Sequence, residues 1–552
     1  MKRYLCIGPP GTGKTFFGQG LVAEFINQGT PPDQIAYVAF TKAAAYEAAK
    51  RCGIWPEESR DLWFRTLHSA CYKLAGDPRP NVMTSKLVKQ FSERIGLEMT
   101  LGETPGEESL EELYWRVLRK SPNLQRDGDQ YLRAYDLSRL CCRSASDLEQ
   151  ARAQQHFATL RTDQSLDPGT YRAFVEAYEE FKSKDGVVDY IDMLTRVLEG
   201  RCEPVPKWKL AVIDECQDLA PLMHAVVDRL WGDAEWLFRI GDDMQAIYTF
   251  MMSSAADFLQ YRKGSKLIIL QQTYRFGKEI VDLAARIADR VEDKIPRTVL
   301  PKDGVTNEIR VDYEFNPEMV AAASAGRRCL VLHRHIAGCR SLGERLTQAG
   351  IPFWNERGVN PLARTNEKNT WAAFKRMHTY GHLTQDELLA LLSNVPSRTT
   401  VESEAVQLVR HGAKKKIRES FWDESKLYQH EQLKEIFTDT FLESVRQNDP
   451  RWLQVQYREY YDALEQRGFD LARGEPSIVV TTVHGAKGRE ADPVVLFSET
   501  FPKAFADAGE HRVPYVGVTR TKRDLWIMRE PIVGDWTKEY PYPIFEDPDE
   551  KQ

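Results

Sequence analysis

The sequence predicts an α/β protein with two parallel-sheet cores, each interrupted by a mainly helical insertion. Two observations support this fold class. Short apolar strand patterns alternate with helical patterns near the amino terminus, and the same alternation returns twice further along the chain. The stretches between these regions are helical and highly charged in pattern. The 552 residues allow roughly three or four domains, which leaves room for two cores and their insertions.

The first core opens with a strand pattern at residues 4–7 and a helical pattern at 16–26. A second strand pattern at 35–40 leads into an alanine-rich helical pattern at 42–51. After a mostly helical stretch, further strand patterns follow at 210–213, 236–240 and 267–270. Because strands that alternate with helices are joined by crossover connections, a parallel sheet is expected.

The second core begins near residue 309 and has strand patterns at 329–333, 478–481 and 494–497. The helical and charged stretch before 471 is predicted to be its insertion. The predicted parts are 1–75 and 206–276 for the first core with its insertion at 76–205, and 277–370 and 471–552 for the second core with its insertion at 371–470. The acidic tail at 546–550 is expected to carry no chemistry.

Composition excludes several classes of protein. Lys and Arg number 75 against 81 Asp and Glu, and a net charge of -6 excludes binding to nucleic acid through bulk charge. No apolar run approaches the ~18 residues of a membrane span, and the first apolar stretch is too short for a secretory signal. Nine cysteines without a Cys-x-x-Cys pair make a disulfide framework or zinc site unexpected. We therefore expect a soluble cytoplasmic protein without a membrane partner.

Residues 8–15 form a phosphate-loop pattern between the first strand and the first helix. They read Gly-Pro-Pro-Gly-Thr-Gly-Lys-Thr and fit G-x-x-x-x-G-K-[ST]. Backbone N–H groups of such a loop point at phosphate oxygens. We expect Lys14 to reach the β and γ phosphates and Thr15 to bind Mg²⁺. The alternative is a tight strand-to-helix turn with an exposed lysine.

Two carboxylates follow the strand pattern at 210–213. Asp214 is expected to hold Mg²⁺, and Glu215 to orient and deprotonate the water that attacks the phosphate. The alternative is an ordinary turn at the end of a strand. The long separation from Lys14 agrees with a helical insertion in the first core.

Asp214-Glu-Cys-Gln-Asp218 resembles the DExQD box of the superfamily-one UvrD/Rep/PcrA-type DNA helicases, and other boxes of that family occur in order. They are residues 40–45 (motif Ia), 66–69 (Ib), 241–248 (III), 272–275 (IV), 482–490 (V) and 515–521 (VI). Residues 188–194 resemble the helix that closes the first insertion, although an ordinary amphipathic helix is equally compatible. The seven residues before Gly8 lack the family's glutamine box, so the chain resembles a compact member.

The resemblance implies two RecA-like P-loop NTPase domains with ATP and Mg²⁺ as cofactors. Gln245 would sense the γ-phosphate, and Arg275 and Arg520 would stabilise charge on the transferred phosphoryl group. Tyr274 would stack on adenine and Glu490 would bind the ribose. The implied catalytic residues are Lys14, Asp214, Glu215, Gln245, Arg275 and Arg520. The implied nucleotide-binding residues are Gly8, Pro9, Pro10, Gly11, Thr12, Gly13, Lys14, Thr15, Phe16, Tyr274, Gly488 and Glu490, with Thr15 and Asp214 as metal ligands.

A single-stranded DNA path is also implied, in which aromatic faces stack on bases without reading their sequence. Its implied residues are Phe40, Thr41, Thr66, His68, Tyr248, Phe250 and His484. Several positions depart from the family pattern. Phe16 stands where an arginine is usual, Phe250 stands where the family has a tryptophan, and Met251 replaces the arginine that usually follows. Arg489 and Ala491 stand where the family usually has an apolar and an aromatic residue.

The resemblance implies an ATP-dependent DNA helicase or translocase that moves 3′ to 5′ on single-stranded DNA and acts at DNA junctions. A basic run between Arg410 and Arg418 could touch duplex phosphates, or it is a solvated helix face. Two alternatives stay open: a translocase that displaces proteins without unwinding, and a nucleotide-gated module that only binds single strands. A monomer or weak dimer is expected, with an unidentified protein as loading partner.

Overall fold

The protein is described by a computed structural model that covers residues 1–53, 63–76, 80–99, 127–153, 167–356, 358–395, 427–471, 473–498 and 508–530. The chain divides into two compact units. Unit 1 comprises Met1–Thr306 with Phe505–Thr519, and unit 2 comprises Asn307–Ala504 with Arg520–Gln552. The six-part domain division inferred from the sequence stays a prediction.

Unit 1 is built on a parallel sheet. Its strands are β1 (Lys2–Ile7), β2 (Ile35–Ala39), β3 (Trp63–Thr66), β4 (Asn81–Val82), β5 (Val187–Val188), β6 (Leu210–Ile213), β7 (Trp236–Gly241) and β8 (Lys266–Ile269). Six of them form one sheet in the order β3-β2-β6-β7-β1-β8, in which every neighbouring pair is parallel. The other two, β4 and β5, form a short parallel ladder of their own.

Helices cover this sheet and form the insertion. They are α1 (Lys14–Asn27), α2 (Lys42–Arg51), α3 (Leu67–Lys73), α4 (Ser85–Ile95), α5 (Asp127–Leu140), α6 (Ala145–Ala153), α7 (Pro168–Asp185), α8 (Tyr190–Leu198), α9 (Pro221–Trp231), α10 (Ala255–Leu259) and α11 (Lys278–Ala288). Every residue of β2 and β6 is buried, and the neighbours Leu5 and Cys6 of β1 belong to different hydrophobic clusters. Continuous apolar runs are expected for parallel strands that are covered on both faces.

The insertion of unit 1 contains a buried group of charged side chains, here called the ion cluster. Its members are Arg139, Lys182, Asp136, Asp189 and Asp192. Arg139 contacts all three carboxylates, including Asp189 at 2.8 Å and Asp192 at 2.9 Å. Asp189 also caps α8 through a reciprocal capping box with Asp192, so the cluster fixes the start of that helix.

Unit 2 has a second parallel sheet. Its strands are β9 (Glu308–Asp312), β10 (Cys329–His333), β11 (Phe353–Asn355), β12 (Leu383–Thr384), β13 (Leu427–Tyr428), β14 (Ile478–Thr482), β15 (Val494–Phe497) and β16 (Asp524–Met528). The sheet order is β11-β14-β10-β15-β16-β9, and β12 pairs with β13 as an antiparallel ladder. Its helices are α12 (Pro317–Ala323), α13 (Ile336–Gln348), α14 (Thr365–Tyr380), α15 (Gln385–Asn394), α16 (His430–Ile436), α17 (Asp439–Arg446) and α18 (Arg458–Gln466), whereas α19 (Arg512–Val518) belongs to unit 1.

The predicted fold class is confirmed: the chain is α/β, with two six-stranded parallel sheets and helical stretches between their strands. The structure contains no helix, within the part of the chain that it describes, that is long and apolar enough to cross a membrane. The basic run at 410–418 and the acidic tail at 546–550 both lie outside the described residues.

Candidate active site

The phosphate-loop pattern lies at the carboxyl-terminal end of β1, which lies between β7 and β8 in the unit 1 sheet. The backbone turns through Gly11 and Gly13 with positive φ of 76° and 77°, which residues with a Cβ rarely adopt. Gly13 is the N-cap residue of α1 and has no side chain to bind the N–H groups of the first turn. Any Cβ at Gly8 would lie 2.2 Å from Cγ of Lys14. The loop therefore needs glycine for its shape, and no side chain of the N-cap residue binds the N–H groups of the first turn of α1.

Lys14 is folded into this loop. Only 9% of the residue is exposed, and its Nζ donates a hydrogen bond to the carbonyl oxygen of Gly8 at 2.9 Å. A buried ammonium group held by a backbone carbonyl is available to exchange that partner for an anionic oxygen. The alternative of a turn with an exposed lysine does not describe this loop.

Asp214 follows β6 and meets the phosphate loop. The hydroxyl groups of Thr15 and Tyr37 each donate to its Oδ2 at 3.0 Å, and the N–H of Glu215 donates to Oδ1 at 2.9 Å. Burial and the charge of Glu215 raise the pKa of Asp214 to about 6, although Lys14 opposes the shift. The neighbouring groups therefore do not fully stabilise the negative charge of ionised Asp214, and a bound cation would add that stabilisation.

Thr15 and Asp214 together fit a magnesium ion. Hydroxyl and carboxylate oxygens are the hard ligands that Mg²⁺ prefers, and Mg²⁺ commonly takes one or two protein oxygens together with substrate phosphates. Among the described residues, no group of three or more His, Cys, Asp or Glu side chains is placed to hold a metal.

Glu215 adopts an uncommon backbone conformation at the end of β6. Its φ of 54° lies in the left-handed region, where a residue with a side chain is strained. Its carboxylate accepts a hydrogen bond from Nε2 of Gln217 at 2.5 Å. The charge of this side chain contributes to the raised pKa of Asp214, so the two carboxylates interact electrostatically.

Gln245 lies in the loop that follows β7, the strand between β1 and β6. Its Nε2 donates to Oδ2 of Asp242 at 2.7 Å. Arg297 forms an ion pair with Asp242 at 2.7 Å and a second with Asp243, and its side chain is only 6% exposed. Arg512 on α19 donates to the carbonyl oxygen of Asp243 at 2.7 Å. The loop of Gln245 is thereby held by arginines from two distant parts of the chain.

The segment after β8 lies directly on the phosphate loop. The hydroxyl of Thr273 donates to the carbonyl of Pro10 at 2.9 Å, and the N–H of Tyr274 donates to the carbonyl of Gly11 at 2.8 Å. Nη1 of Arg275 donates to the carbonyl of Thr519 at 2.8 Å. Arg275 and Tyr274 thus both lie beside the loop, and their roles in charge stabilisation and base stacking stay predictions.

Two large aromatic side chains near the loop are exposed. Phe16, in the first turn of α1, is 73% exposed, and Tyr274 is 66% exposed. Large apolar groups left in water beside a candidate ligand site indicate a surface for a flat apolar partner. A nucleotide base is such a partner.

Four predicted site residues belong to unit 2. Arg520 is buried and donates to the carbonyl of Arg489 at 3.3 Å, and Gly488 has a positive φ of 80°. Glu490 forms an ion pair with Lys522 at 2.7 Å, and Nδ1 of His484 lies 3.5 Å from Nη1 of Arg334. Their roles toward a nucleotide or DNA stay predictions.

The predicted DNA-contacting residues of unit 1 fall into two groups. Phe40 and Tyr248 stack with ring centroids 6.2 Å apart, and Phe250 packs edge-on against Tyr248 at 5.9 Å. Thr66 and His68 are buried and line one cavity with Phe40. Asp214, a predicted metal ligand, lines the same cavity. The residues predicted to contact nucleotide and those predicted to contact DNA are therefore neighbours here.

The two threonines of this set have structural partners. Thr66 caps α3 through a hydrogen bond from the N–H of Ser69 at 3.3 Å, and Thr41 caps α2 through one from Ala44 at 3.2 Å. These two capping hydrogen bonds therefore hold the backbone at the starts of α2 and α3, and Thr41 directly follows Phe40.

Sequence reasoning missed several residues that shape the site. Tyr37 supports Asp214, Gln217 contacts Glu215, and Arg297 with Arg512 holds the Gln245 loop. Gln217 could have been found, because it lies inside the DExQD box. The other three carry no local signal, since their partners come from distant parts of the sequence.

Comparison with known proteins identifies two family models in the chain. The UvrD/REP helicase N-terminal domain matches residues 2–266, and the UvrD-like helicase C-terminal domain matches residues 477–528. Together these matches cover more than half of the chain.

Individual relatives are distant. DNA helicase II of Salmonella typhimurium (strain LT2) is 22% identical, over 94% of this chain and 81% of its own length. The protein YjcD of Bacillus subtilis (strain 168) is 24% identical, over 64% of this chain and 47% of its own. ATP-dependent DNA helicase UvrD2 of Mycobacterium tuberculosis (strain H37Rv) is 24% identical, over 67% and 55% respectively. The chain thus spans about half the length of the last two relatives.

Proposed function

Because the chain belongs to the UvrD/REP helicase family, we propose that it is an enzyme that hydrolyses ATP to move along single-stranded DNA and separate duplex strands. One observation carries this proposal: the hydroxyl of Thr15 and the carboxylate of Asp214 meet at 3.0 Å beside the buried ammonium group of Lys14. This arrangement provides the groups that a bound nucleoside triphosphate needs, and Glu215 is the next residue along the chain.

Binding of ATP would use the groups at the carboxyl end of β1. Amides of the loop and of the first turn of α1 would hold the phosphates, and Lys14 would exchange the Gly8 carbonyl for phosphate oxygens. Thr15 and Asp214 would hold Mg²⁺, which when bound neutralises charge on the β and γ phosphates. Phe16 and Tyr274 would offer their exposed faces to the base.

Hydrolysis would depend on Glu215 as the general base. A carboxylate at this position can orient water and accept its proton as the water attacks the γ-phosphate. Arg275 lies beside the loop and would stabilise the charge that develops, and we assign the same role to Arg520. Gln245, at the end of the neighbouring strand β7, would sense the presence of the γ-phosphate.

Single-stranded DNA would lie over the edge formed by Phe40, Tyr248 and Phe250. Stacking on aromatic faces suits a motor, since every base has such a face and no sequence is read. The names of the relatives DNA helicase II and UvrD2 support DNA as the substrate. Travel in the 3′-to-5′ direction, action at DNA junctions and His484 as a further contact belong to the same proposal.

A reducing, cytoplasm-like compartment is also part of the proposal. All nine cysteines are free, and six of them are buried among apolar residues: Cys6, Cys71, Cys142, Cys216, Cys329 and Cys339. Free buried thiols are ordinary in intracellular proteins, where disulfides are rare.

The test is to measure ATP hydrolysis with and without single-stranded DNA, for the wild type and two variants. The wild type should hydrolyse ATP much faster when DNA is present. Glu215→Gln should lose turnover by a factor of 100 or more, on the order expected for a general base, and should still bind ATP. Lys14→Ala should lose both binding and turnover. Equal turnover in the wild type and Glu215→Gln would remove Glu215 from its role.

Strand-displacement reactions with 3′-tailed and 5′-tailed duplexes then decide the kind of motor. Unwinding of only the 3′-tailed duplex supports the proposal in full. Removal of a protein block from single strands without unwinding identifies a translocase. Binding of DNA and ATP without any turnover identifies a nucleotide-gated module and contradicts the proposed enzyme.

A further inference from the structure

Gln217 is a fully buried side chain between the ends of two neighbouring strands, β6 and β7. Its amide nitrogen donates to the carboxylate of Glu215 at 2.5 Å and lies 3.3 Å from the carboxylate of Asp218. Its amide oxygen accepts the N–H of Asp242 at 3.0 Å. One planar amide thus joins the proposed general base to the first residue of the loop after β7.

The backbone on each side of the Gln217 amide has an unusual feature: a positive φ at Glu215 and a glycine at position 241. Glu215 has a φ of 54°, and a strained residue persists only where its surroundings hold it. On the other side, Gly241 leaves space for the amide, because a Cβ there would lie 2.5 Å from Oε1 of Gln217. Both features favour this one arrangement of the Gln217 side chain.

The connection continues beyond Asp242 toward the aromatic side chains of Phe40, Tyr248 and Phe250. The carboxylate of Asp242 accepts hydrogen bonds from Gln245 and Arg297. The carbonyl of Gln245 then accepts the N–H of Ile247 at 3.0 Å, and the next residue, Tyr248, stacks on Phe40. A continuous set of contacts therefore runs from Glu215 to the proposed DNA surface.

Few side chains other than glutamine could make this bridge. A carboxylate of the same length cannot donate to Glu215, and a lysine cannot accept from Asp242. The bridge is also buried, where a lost hydrogen-bond partner is costly and where hydrogen bonds are strong. A movement of the loop after β7 would therefore move the Gln217 amide and, through it, the carboxylate of Glu215.

We propose that Gln217 is a positioning residue that couples the orientation of Glu215 to the loop of Asp242 and Gln245, so that DNA on Tyr248 accelerates hydrolysis. This inference rests on the proposed function, since it assigns a route by which DNA acts on the same active site. Gln217 itself touches neither substrate nor the reacting atoms.

Two substitutions of Gln217 itself test the bridge between Glu215 and Asp242. Gln217→Glu keeps the acceptor for Asp242 and removes the donor to Glu215, whereas Gln217→Met removes both hydrogen bonds without adding charge. In each variant we expect kcat with saturating single-stranded DNA to fall by about 10- to 100-fold, as for other groups that orient a reacting residue. The KM for ATP should change much less, since the phosphate loop is untouched.

A matched control is available at the carboxyl-terminal end of α1, where Gln28 is the C-cap residue. Nε2 of Gln28 donates to the carboxylate of Glu24 at 2.6 Å, which is the same chemistry on the protein surface. Gln28→Glu should leave kcat, KM and the stimulation by DNA at wild-type values. Gly241→Ala disturbs the bridge from the opposite side and should also lower the ratio of DNA-stimulated to basal kcat.

The outcomes separate the two proposals. A wild type without DNA-stimulated hydrolysis contradicts the proposed function itself. A stimulated wild type whose Gln217 variants keep the full stimulation ratio overturns the coupling role. A purely structural role would instead lower ATP binding and thermal stability together with kcat, and that result also overturns the inference.

Discussion

The carboxyl group of Asp214 makes stability depend on pH. Its pKa is raised to about 6, mainly by burial and then by the charge of Glu215, above the ordinary 3.8 of an unfolded aspartate. The folded state therefore binds more protons between pH 4 and 6, and the free energy of unfolding falls as pH rises through that window. Above it the ionised group costs roughly 2–3 kcal/mol, at about 1.4 kcal/mol for each pKa unit.

We expect Asp214→Asn to raise the melting temperature at pH 7 while it abolishes hydrolysis. The neutral amide still accepts from Thr15 and Tyr37, so most hydrogen bonds remain. Thermal unfolding at pH 4.5 and pH 7.5 checks the sign: the gain should be larger at pH 7.5. A variant that is less stable than the wild type at both pH values would contradict this electrostatic account.

The exposed faces of Phe16 and Tyr274 predict weak selection among nucleotides. Stacking on a base contributes about 1–3 kcal/mol and does not distinguish adenine from guanine strongly. Phe16→Ala should therefore raise KM for ATP and GTP alike by about tenfold, which corresponds to ~1.4 kcal/mol, with little change in kcat.

Two controls define this test of Phe16. Phe16→Arg restores a planar face and should recover most of the affinity, since a guanidinium group also stacks. Tyr46→Ala removes an exposed aromatic side chain on α2 and should change neither constant. Steady-state kinetics with ATP and GTP give all these values, and a loss confined to ATP would indicate recognition of the base edge instead.

At the level of single residues, the sequence predicted the local parts of the site. Lys14, Thr15 and Asp214 lie together because a phosphate loop and a strand-end carboxylate occupy the same edge of one sheet. Arg297 and Arg512 could not be predicted, because each acts through a tertiary contact with the Gln245 loop. No local pattern encodes such a contact.

At the level of elements, most strands of the two large sheets were predicted, whereas β3, β11, β16 and the four two-residue strands were not. β1, β2, β6, β7, β8, β10, β14 and β15 lie within two residues of their predicted positions. β3 was missed, because its four residues run directly into α3 and become a strand by pairing with β2. The ladders β4–β5 and β12–β13 have two residues a strand, and only the folded chain brings their partners together.

The ion cluster stabilises the amino-terminal end of α8. Asp189 and Asp192 begin this helix and are paired with Arg139 and Lys182 from α5 and α7. The next residue, Tyr190, packs edge-on against His68 with ring centroids 5.9 Å apart. The buried charges therefore hold a helix whose first turn supports the predicted DNA path.

We expect Arg139→Met to lower the free energy of unfolding by about 3–5 kcal/mol, because it leaves buried carboxylates without their main partner. Arg94→Met breaks an exposed ion pair of 3.7 Å with Glu180 and should cost less than about 1 kcal/mol. Chemical denaturation of both variants gives the comparison. Similar losses in the two variants would show that the cluster adds no more than a surface pair.

The whole molecule carries a formal charge of -6, so single-stranded DNA would be held by local contacts and not by bulk charge. Two contributions to the affinity for single-stranded DNA should then be separable by experiment. Contacts with phosphates release counterions and make affinity depend on salt, with a slope of about 0.7 for each neutralised phosphate. Stacking on aromatic side chains adds affinity that does not depend on salt in this way.

Phe40→Ala should therefore weaken binding of single-stranded DNA by about 1–3 kcal/mol at every salt concentration, since it removes a stacking face. The slope of log Kd against log salt should stay at the wild-type value, because no phosphate contact is lost. Fluorescence anisotropy with oligo-dT and a mixed-sequence strand, from 50 to 300 mM salt, would measure both quantities. Affinities for the two strands should agree within a few-fold. A changed slope would place Phe40 among the phosphate contacts, and a strong preference for one sequence would contradict a path built on stacking.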